Sequence, residues 1–212
     1  MPLNLSVGDG DFTPYLKYNA KAGRFYAKVE GRTEEIEVEK PRLAFDMENI
    51  KTGWLFYQEG AGPEKVWDPS RTEAAPRPKG PQKWKRGFEV NVIGNDNIPS
   101  VGKLGLREFS STAGNVITAI LQMYEVYEAE VAANPGKVPF FACIGVRPVA
   151  GHYGTNYEPL FQLKGWVERA KVPEFDTQPE KKGPAPQSGG PVQPLQSAQK
   201  PLRDELDDEI PF

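Results

Sequence analysis

The sequence predicts a mainly β domain interrupted by one long helix and followed by a tail that cannot pack. Three observations point there. Seven short segments are rich in β-branched and aromatic residues and bounded by Gly, Pro or Asn. A single stretch repeats apolar residues at helical spacing. Beyond Pro173 the composition turns to Pro, Gly and Gln, with too little apolar surface to offset the ordering of the backbone. A chain of 212 residues is long enough for one domain with its own core and such a tail.

In chain order, RFYAKVEG, EEIEVE, RLAFDME, TGWLFYQE and GFEVNVIG read as strands ending at Gly94. The helical stretch begins near Ser110, Ser111 and Thr112, any of which is a suitable cap. It runs for about six turns with Ile117, Ile120, Leu121, Tyr124, Tyr127 and Val131 on one face. Asn134, Pro135 and Gly136 stop it. VPFFACIGV and PLFQLKGWVER supply the last two strands, for a total of six or seven, with no βαβ alternation. Strands, one helix, then two strands is the order of a five-stranded oligonucleotide-binding barrel (OB-fold) with its helix between the third and fourth strands. Many α+β domains share that order, and the pattern alone leaves both open. The expected organisation is a folded domain at 1–172, a disordered linker at 173–203 and an acidic tip at 204–212. Seven Pro, three Gly, five Gln and two Ser fill most of the linker.

Several classes fall away. One Cys, Cys143, forms no internal disulfide, and together with the one His it builds no structural zinc site. The flanks of Cys143 in FFACIGV mark it as a small core side chain. Asp9 and Asp11 are two carboxylates without companions, too few for a divalent metal. No phosphate-binding loop with its Lys-Ser/Thr is present. No cofactor and no metal are expected. No apolar run reaches 18 residues and the start lacks a secretion signal, so the expectation is a soluble protein of the cytoplasm with no membrane partner.

The net charge of −3 hides an asymmetry, because Asp204 to Phe212 carry five acids and no base, which leaves the rest at +2. The basic excess concentrates in RTEAAPRPKGPQKWKRGFEV, where Arg71, Arg77, Lys79, Lys83, Lys85 and Arg86 face one acid, Glu73. Pro76, Pro78, Gly80 and Pro81 predict an exposed loop leading into a strand. Cations on such a loop bind phosphates by releasing counterions, and Trp84 among them offers a stacking face. The alternative is a solvated loop with Trp84 in the core. In TGWLFYQE, alternation puts Trp54 and Phe56 on one face and Leu55 and Tyr57 on the other, and either pair suits a binding groove. RPVAGHYGTNY, between the last two strands, is read as a loop, with Arg147 for phosphate and Tyr153, Tyr157 and His152 as stackers. His152 as a catalytic base lacks a nucleophile in a recognisable context.

The end of the chain is the most specific feature. DELDDEIPF sets its acids beside Ile210, Pro211 and Phe212, an aromatic ring with a free carboxylate suited to a basic-rimmed apolar pocket on a partner. Asp207, Asp208, Glu209, Ile210, Pro211 and Phe212 resemble the tip of bacterial single-stranded DNA-binding proteins, with Glu209 as one conservative departure. The Gly, Pro and Gln-rich linker is similar too. The body lacks the usual bacterial opening strand and looks more like the divergent single-stranded DNA-binding proteins of bacteriophages. The resemblance implies the barrel and an activity: binding and protecting single-stranded DNA during replication, recombination or repair, while the tip recruits partner proteins.

The expected function is therefore single-stranded DNA binding without strong sequence preference and without catalysis. Trp54, Arg77, Lys79, Lys83, Trp84, Lys85, Arg86, Arg147, Tyr153 and Tyr157 are the candidate contacts, and a homo-oligomer is compatible with this reading. The competitors are an adaptor or recombination mediator acting mainly through the tip, an RNA-binding protein, and a nuclease using scattered carboxylates.

Overall fold

The computed structural model describes residues 14–29, 31–37, 39, 41–58, 63–98, 102–151 and 154–176. The acidic tip, the linker beyond 176, His152, Tyr153, Asp9 and Asp11 lie outside them. The described chain is mainly β with one α-helix. In order come β1 (Tyr15–Asn19), β2 (Arg24–Val29), β3 (Arg32–Ile36), β4 (Arg42–Phe45), β5 (Lys51–Phe56), β6 (Glu64–Trp67), β7 (Lys85–Ile98), β8 (Gly102–Ser111), α1 (Gly114–Glu130), β9 (Lys137–Gly151) and β10 (Gly154–Glu168).

All ten strands join one sheet in the order β10-β9-β4-β7-β8-β1-β2-β3, with β5 beside β7 and β6 beside β5. β4 and β5 are one strand broken by a 3-10 turn at Met47–Asn49, because both pair antiparallel with β7 and the Asp46 amide donates to the Asn91 carbonyl at 2.9 Å across the break. β7 and β8 follow as antiparallel neighbours, and after α1 the chain returns as β9 to lie beside β4. The spatial order is thus fourth, first, second, third, a Greek key, and β10 pairs with β9 at its outer edge.

Period-two burial explains the strands. Phe25 and Ala27 of β2 and Phe88, Val90 and Val92 of β7 alternate into the core. Between β1 and β2 the Asn19 side-chain oxygen accepts from the Lys21 and Ala22 amides, and Gly23 takes the left-handed conformation that closes the turn. Phe25, Phe45, Phe88, Phe109, Phe141 and Phe161 meet mostly edge-to-face, with centroids 5.5–6.5 Å apart. The contact of Phe25 with Phe161 joins β2 to β10, so the sheet curls until its two ends approach, and the Tyr157 amide donates to the Ala20 carbonyl at 2.7 Å across the gap.

A second, smaller core forms where Ala44, Ile93 and Val138 are covered by Val172 and Phe175. Arg169 fastens that cover, donating to the buried Asp46 at 2.9 Å and to Asp176 at 2.9 Å. The described body therefore reaches Asp176.

The structure corrects three expectations in detail. Ten strands form instead of six or seven, because Tyr15–Asn19, Glu64–Trp67 and Gly102–Ser111 also pair. Ser110 and Ser111 do not cap the helix: they pair with Glu89 and Phe88 of β7, and α1 starts at Gly114 with Ala113 at its N-cap. The helix has 17 residues, nearer five turns than six. It buries Val116, Ala119, Ile120, Met123 and Tyr127, with Leu121 57% exposed.

Candidate nucleic-acid interface

The basic segment forms residues 68–84 of the loop between β6 and β7, plus the first two residues of β7. It is irregular, as its prolines require, yet tied down at several points. The Asp68 carboxylate accepts both terminal nitrogens of Arg86 at 2.7 and 2.5 Å, the Thr52 hydroxyl at 2.6 Å and the Ala75 amide at 2.8 Å. The Arg86 guanidinium holds that carboxyl well below the usual carboxylate range, with the Thr52 and Ala75 donors assisting against the cost of burial. The Trp54 indole N–H donates to the Ala75 carbonyl at 2.9 Å. Arg71 closes the far side, donating to the Tyr124 hydroxyl of α1 and to the Glu48 carbonyl.

These contacts sort the six cations by task. Arg71 and Arg86 serve the fold. Arg77, Lys79, Lys83 and Lys85 are exposed, and among the described residues none of the four has a carboxylate partner. Four unneutralised cations within nine residues, on a loop held in place, form a compact positive patch.

The predicted stacking rings fare differently. Trp54 is half-buried, and the Arg77 and Arg86 guanidiniums sit 5.7 and 5.5 Å from its ring centroid, so cations already occupy its surface. Trp84 is 8% exposed and packs on Phe56 at 5.8 Å. It is a core side chain as placed, and its ring offers no base a stacking face. Its indole N–H has no acceptor, a buried unsatisfied donor that costs on the order of 1–3 kcal/mol.

Of the residues 147–157, read from sequence as a loop, 147–151 and 154–157 instead pair as a ribbon, β9 running to Gly151 and β10 beginning at Gly154. Pro148 is tolerated because β9 there pairs with β10 alone and its other edge is open. Arg147 lies opposite Glu158 and donates to its buried carboxylate at 2.6 Å, so its charge is largely answered within the ribbon. The half-buried Tyr157 anchors the ribbon through its backbone, its carbonyl accepting from the Tyr18 hydroxyl at 3.1 Å and from Asn115 at 2.5 Å. Tyr153 lies outside the described residues.

Sequence reasoning missed a polar cluster on β6, β7 and β8. Lys65 donates to Glu89 and, at 2.7 Å, to Glu108, and its ammonium lies 5.8 Å from the Trp67 ring. Glu89 and Glu108 each keep 13% of their side chains exposed, and burial pushes the Glu89 carboxyl up. Spacing carried no signal here, since Lys65 stands 24 and 43 residues from its partners. Lys65→Met removes the cation that bridges the two carboxylates and is expected to cost about 2–4 kcal/mol at pH 7. A carboxyl raised in the folded state binds more protons there than in the unfolded chain, so stability grows as pH falls. The deficit of Lys65→Met, read as melting temperature, therefore narrows between pH 7 and pH 5.

Cys143 is buried in the main core, and desolvation pushes its thiol up to about 11, which leaves it protonated at neutral pH. Among the described residues no cluster of three or more His, Cys, Asp or Glu is placed to hold a metal, and no helix is long and apolar enough to cross a membrane. Compared with protein-family models, curated proteins and solved structures, the chain matches none.

Proposed function

We propose that this protein binds single-stranded DNA without strong sequence preference, through the cations of the 68–85 segment, and recruits other proteins through its acidic tip. The observation that carries the reading is the set of four cations, Arg77, Lys79, Lys83 and Lys85, that have no carboxylate partner among the described residues and sit on a segment that Asp68 and Arg86 hold in place. A patch without internal counter-charges gains most from meeting phosphates, by releasing their condensed counterions.

The topology supports an oligonucleotide-binding barrel as the core of the sheet. β4 with β5, then β7, β8, β9 and β10 supply its five strands, and α1 falls between the third and fourth. β1–β3 and β6 are additions. In that fold the loops joining strands one to two and four to five border the ligand. Here the first is the stretch from β5 to β7 that holds the basic segment, and the second is the tip of the β9–β10 ribbon.

Binding to unpaired strands in preference to duplex pulls the pairing equilibrium toward the open form. The test is a DNA hairpin melted in the presence of saturating protein: its melting temperature falls as protein is added. A rise, or no change at saturation, contradicts the reading. The acidic tip is opposite in charge to the patch and part of the same chain, so competition with DNA for the patch is the expected consequence. Deleting residues 204–212 is then expected to tighten oligo-dT binding at low salt, with the difference vanishing at high salt, as read by anisotropy of a labelled oligonucleotide.

A further inference from the structure

Tyr57 is 50% exposed, while Trp54 is covered by two guanidiniums and Trp84 is buried. It directly follows β5, and both continued alternation and its contact with Ser110, the cross-strand partner of Glu89, place it on the side of the sheet opposite Trp54 and Phe56. Its hydroxyl lies 3.5 Å from the Ser110 hydroxyl. β7 runs between β5 and β8, so the tyrosine lies across β7 and presents its ring along the sheet rather than away from it.

The same face carries a second ring and further cations. Lys65 and Trp67 stand opposite Leu55 and Gly53 and therefore share the face of Tyr57. A side chain at Gly53 would strike the Trp67 backbone and indole, so the glycine lets Trp67 settle against the sheet. Positions 53 and 57 are separated by about 13 Å of extended chain at most. Lys85, opposite Leu55, and Lys51, opposite Glu89, are exposed on this face, and among the described residues neither forms an ion pair. The Lys65 bridge to Glu89 and Glu108 offsets one of their two negative charges, which lessens the repulsion of phosphates from this face.

We infer that this face is where bases of a bound single strand stack, on Tyr57 first, with phosphates taken by Lys85 and Lys51. The inference rests on the single-strand reading above and adds the ring that does the stacking. Stacking accepts any base, which suits binding without sequence preference. It also separates the roles of the tyrosine and the loop: Tyr57 contributes affinity that salt does not screen, and the cations contribute affinity that it does.

The experiment compares wild type, Tyr57→Leu and Tyr57→Phe by anisotropy of a labelled oligo-dT at two salt concentrations, with melting temperature as the folding check. Tyr57→Leu is expected to bind roughly tenfold more weakly at both salts, with the wild-type salt slope. Tyr57→Phe, which keeps the ring and loses only the long contact to Ser110, is expected to match wild type. Wild-type binding with Tyr57→Leu unchanged overturns the assignment and leaves the function standing. A Tyr57→Leu defect shared equally by Tyr57→Phe also overturns it, because the hydroxyl and not the ring would then matter. Absence of binding by the wild type overturns the reading on which both depend.

Discussion

Replacing Arg77, Lys79, Lys83 and Lys85 together by alanine is expected to weaken oligo-dT binding severely at low salt and only mildly at high salt. The ground is counterion release: each phosphate neutralised on a single strand contributes about 0.7 to the slope of log affinity against log salt. Four contacts give a slope change of close to 3, hence a loss of roughly three orders of magnitude near 50 mM salt but under about tenfold near 500 mM. The four side chains are exposed and make no ion pair among the described residues, so the variant should keep its melting temperature. This distinguishes lost contacts from lost folding. Replacing Arg86 is a different experiment, since that guanidinium is committed to Asp68 and its removal loosens the loop itself.

Asp68→Ala carries the second large effect, this time on stability. The side chain is 5% exposed and receives four hydrogen bonds, two of them from Arg86. Removing it strands the part-buried Ala75 amide, leaves the exposed Thr52 hydroxyl to water and unpairs a guanidinium whose side chain is 40% exposed, so water recovers part of the loss. A cost of about 2–4 kcal/mol follows, below the full penalty of breaking a fully buried pair. For a body of this size that is roughly 5–15 °C in melting temperature. The pH dependence follows from the direction of the shift. A carboxyl held below its unfolded value, near 4, stabilises the fold above that pH and loses its contribution as pH falls through and below it. Wild type should therefore lose stability more steeply than Asp68→Asn between about pH 4 and pH 2.

What the sequence made legible depended on how local the cause was. Phe88, Val90 and Val92 alternate within one segment, and β7 could be read from them alone. The stop at Asn134-Pro135-Gly136 was equally local, with Gly136 in the left-handed conformation. β8 was not legible, because Lys103, Arg107 and Glu108 give GKLGLREFSS the composition of a loop. Its polar side chains are satisfied from afar: Arg107 donates to the Leu104 and Lys28 carbonyls, and Glu108 receives Lys65. The ribbon was missed for a related reason, since the Gly and Pro residues of RPVAGHYGTNY look like loop punctuation until the partner strand is known.

The candidate interface divides the same way. Clustering of six cations is visible in one line of sequence. Which of them are free is not, because Arg86 finds its acid 18 residues upstream and Arg71 finds its acceptor on α1. The roles of Trp54, Tyr57 and Trp84 could not be read from alternation, which separates two faces without saying which one the loop at 68–84 covers.

Preference for unpaired DNA can be read by titrating the intrinsic tryptophan fluorescence of the full chain with oligo-dT, a matched duplex and oligo-U at two salt concentrations. A single-strand binder shows saturable quenching by oligo-dT, weaker binding to the duplex, and an affinity for the single strand that falls steeply with salt. Equal binding to duplex and single strand, or no binding to either, would contradict the proposed preference.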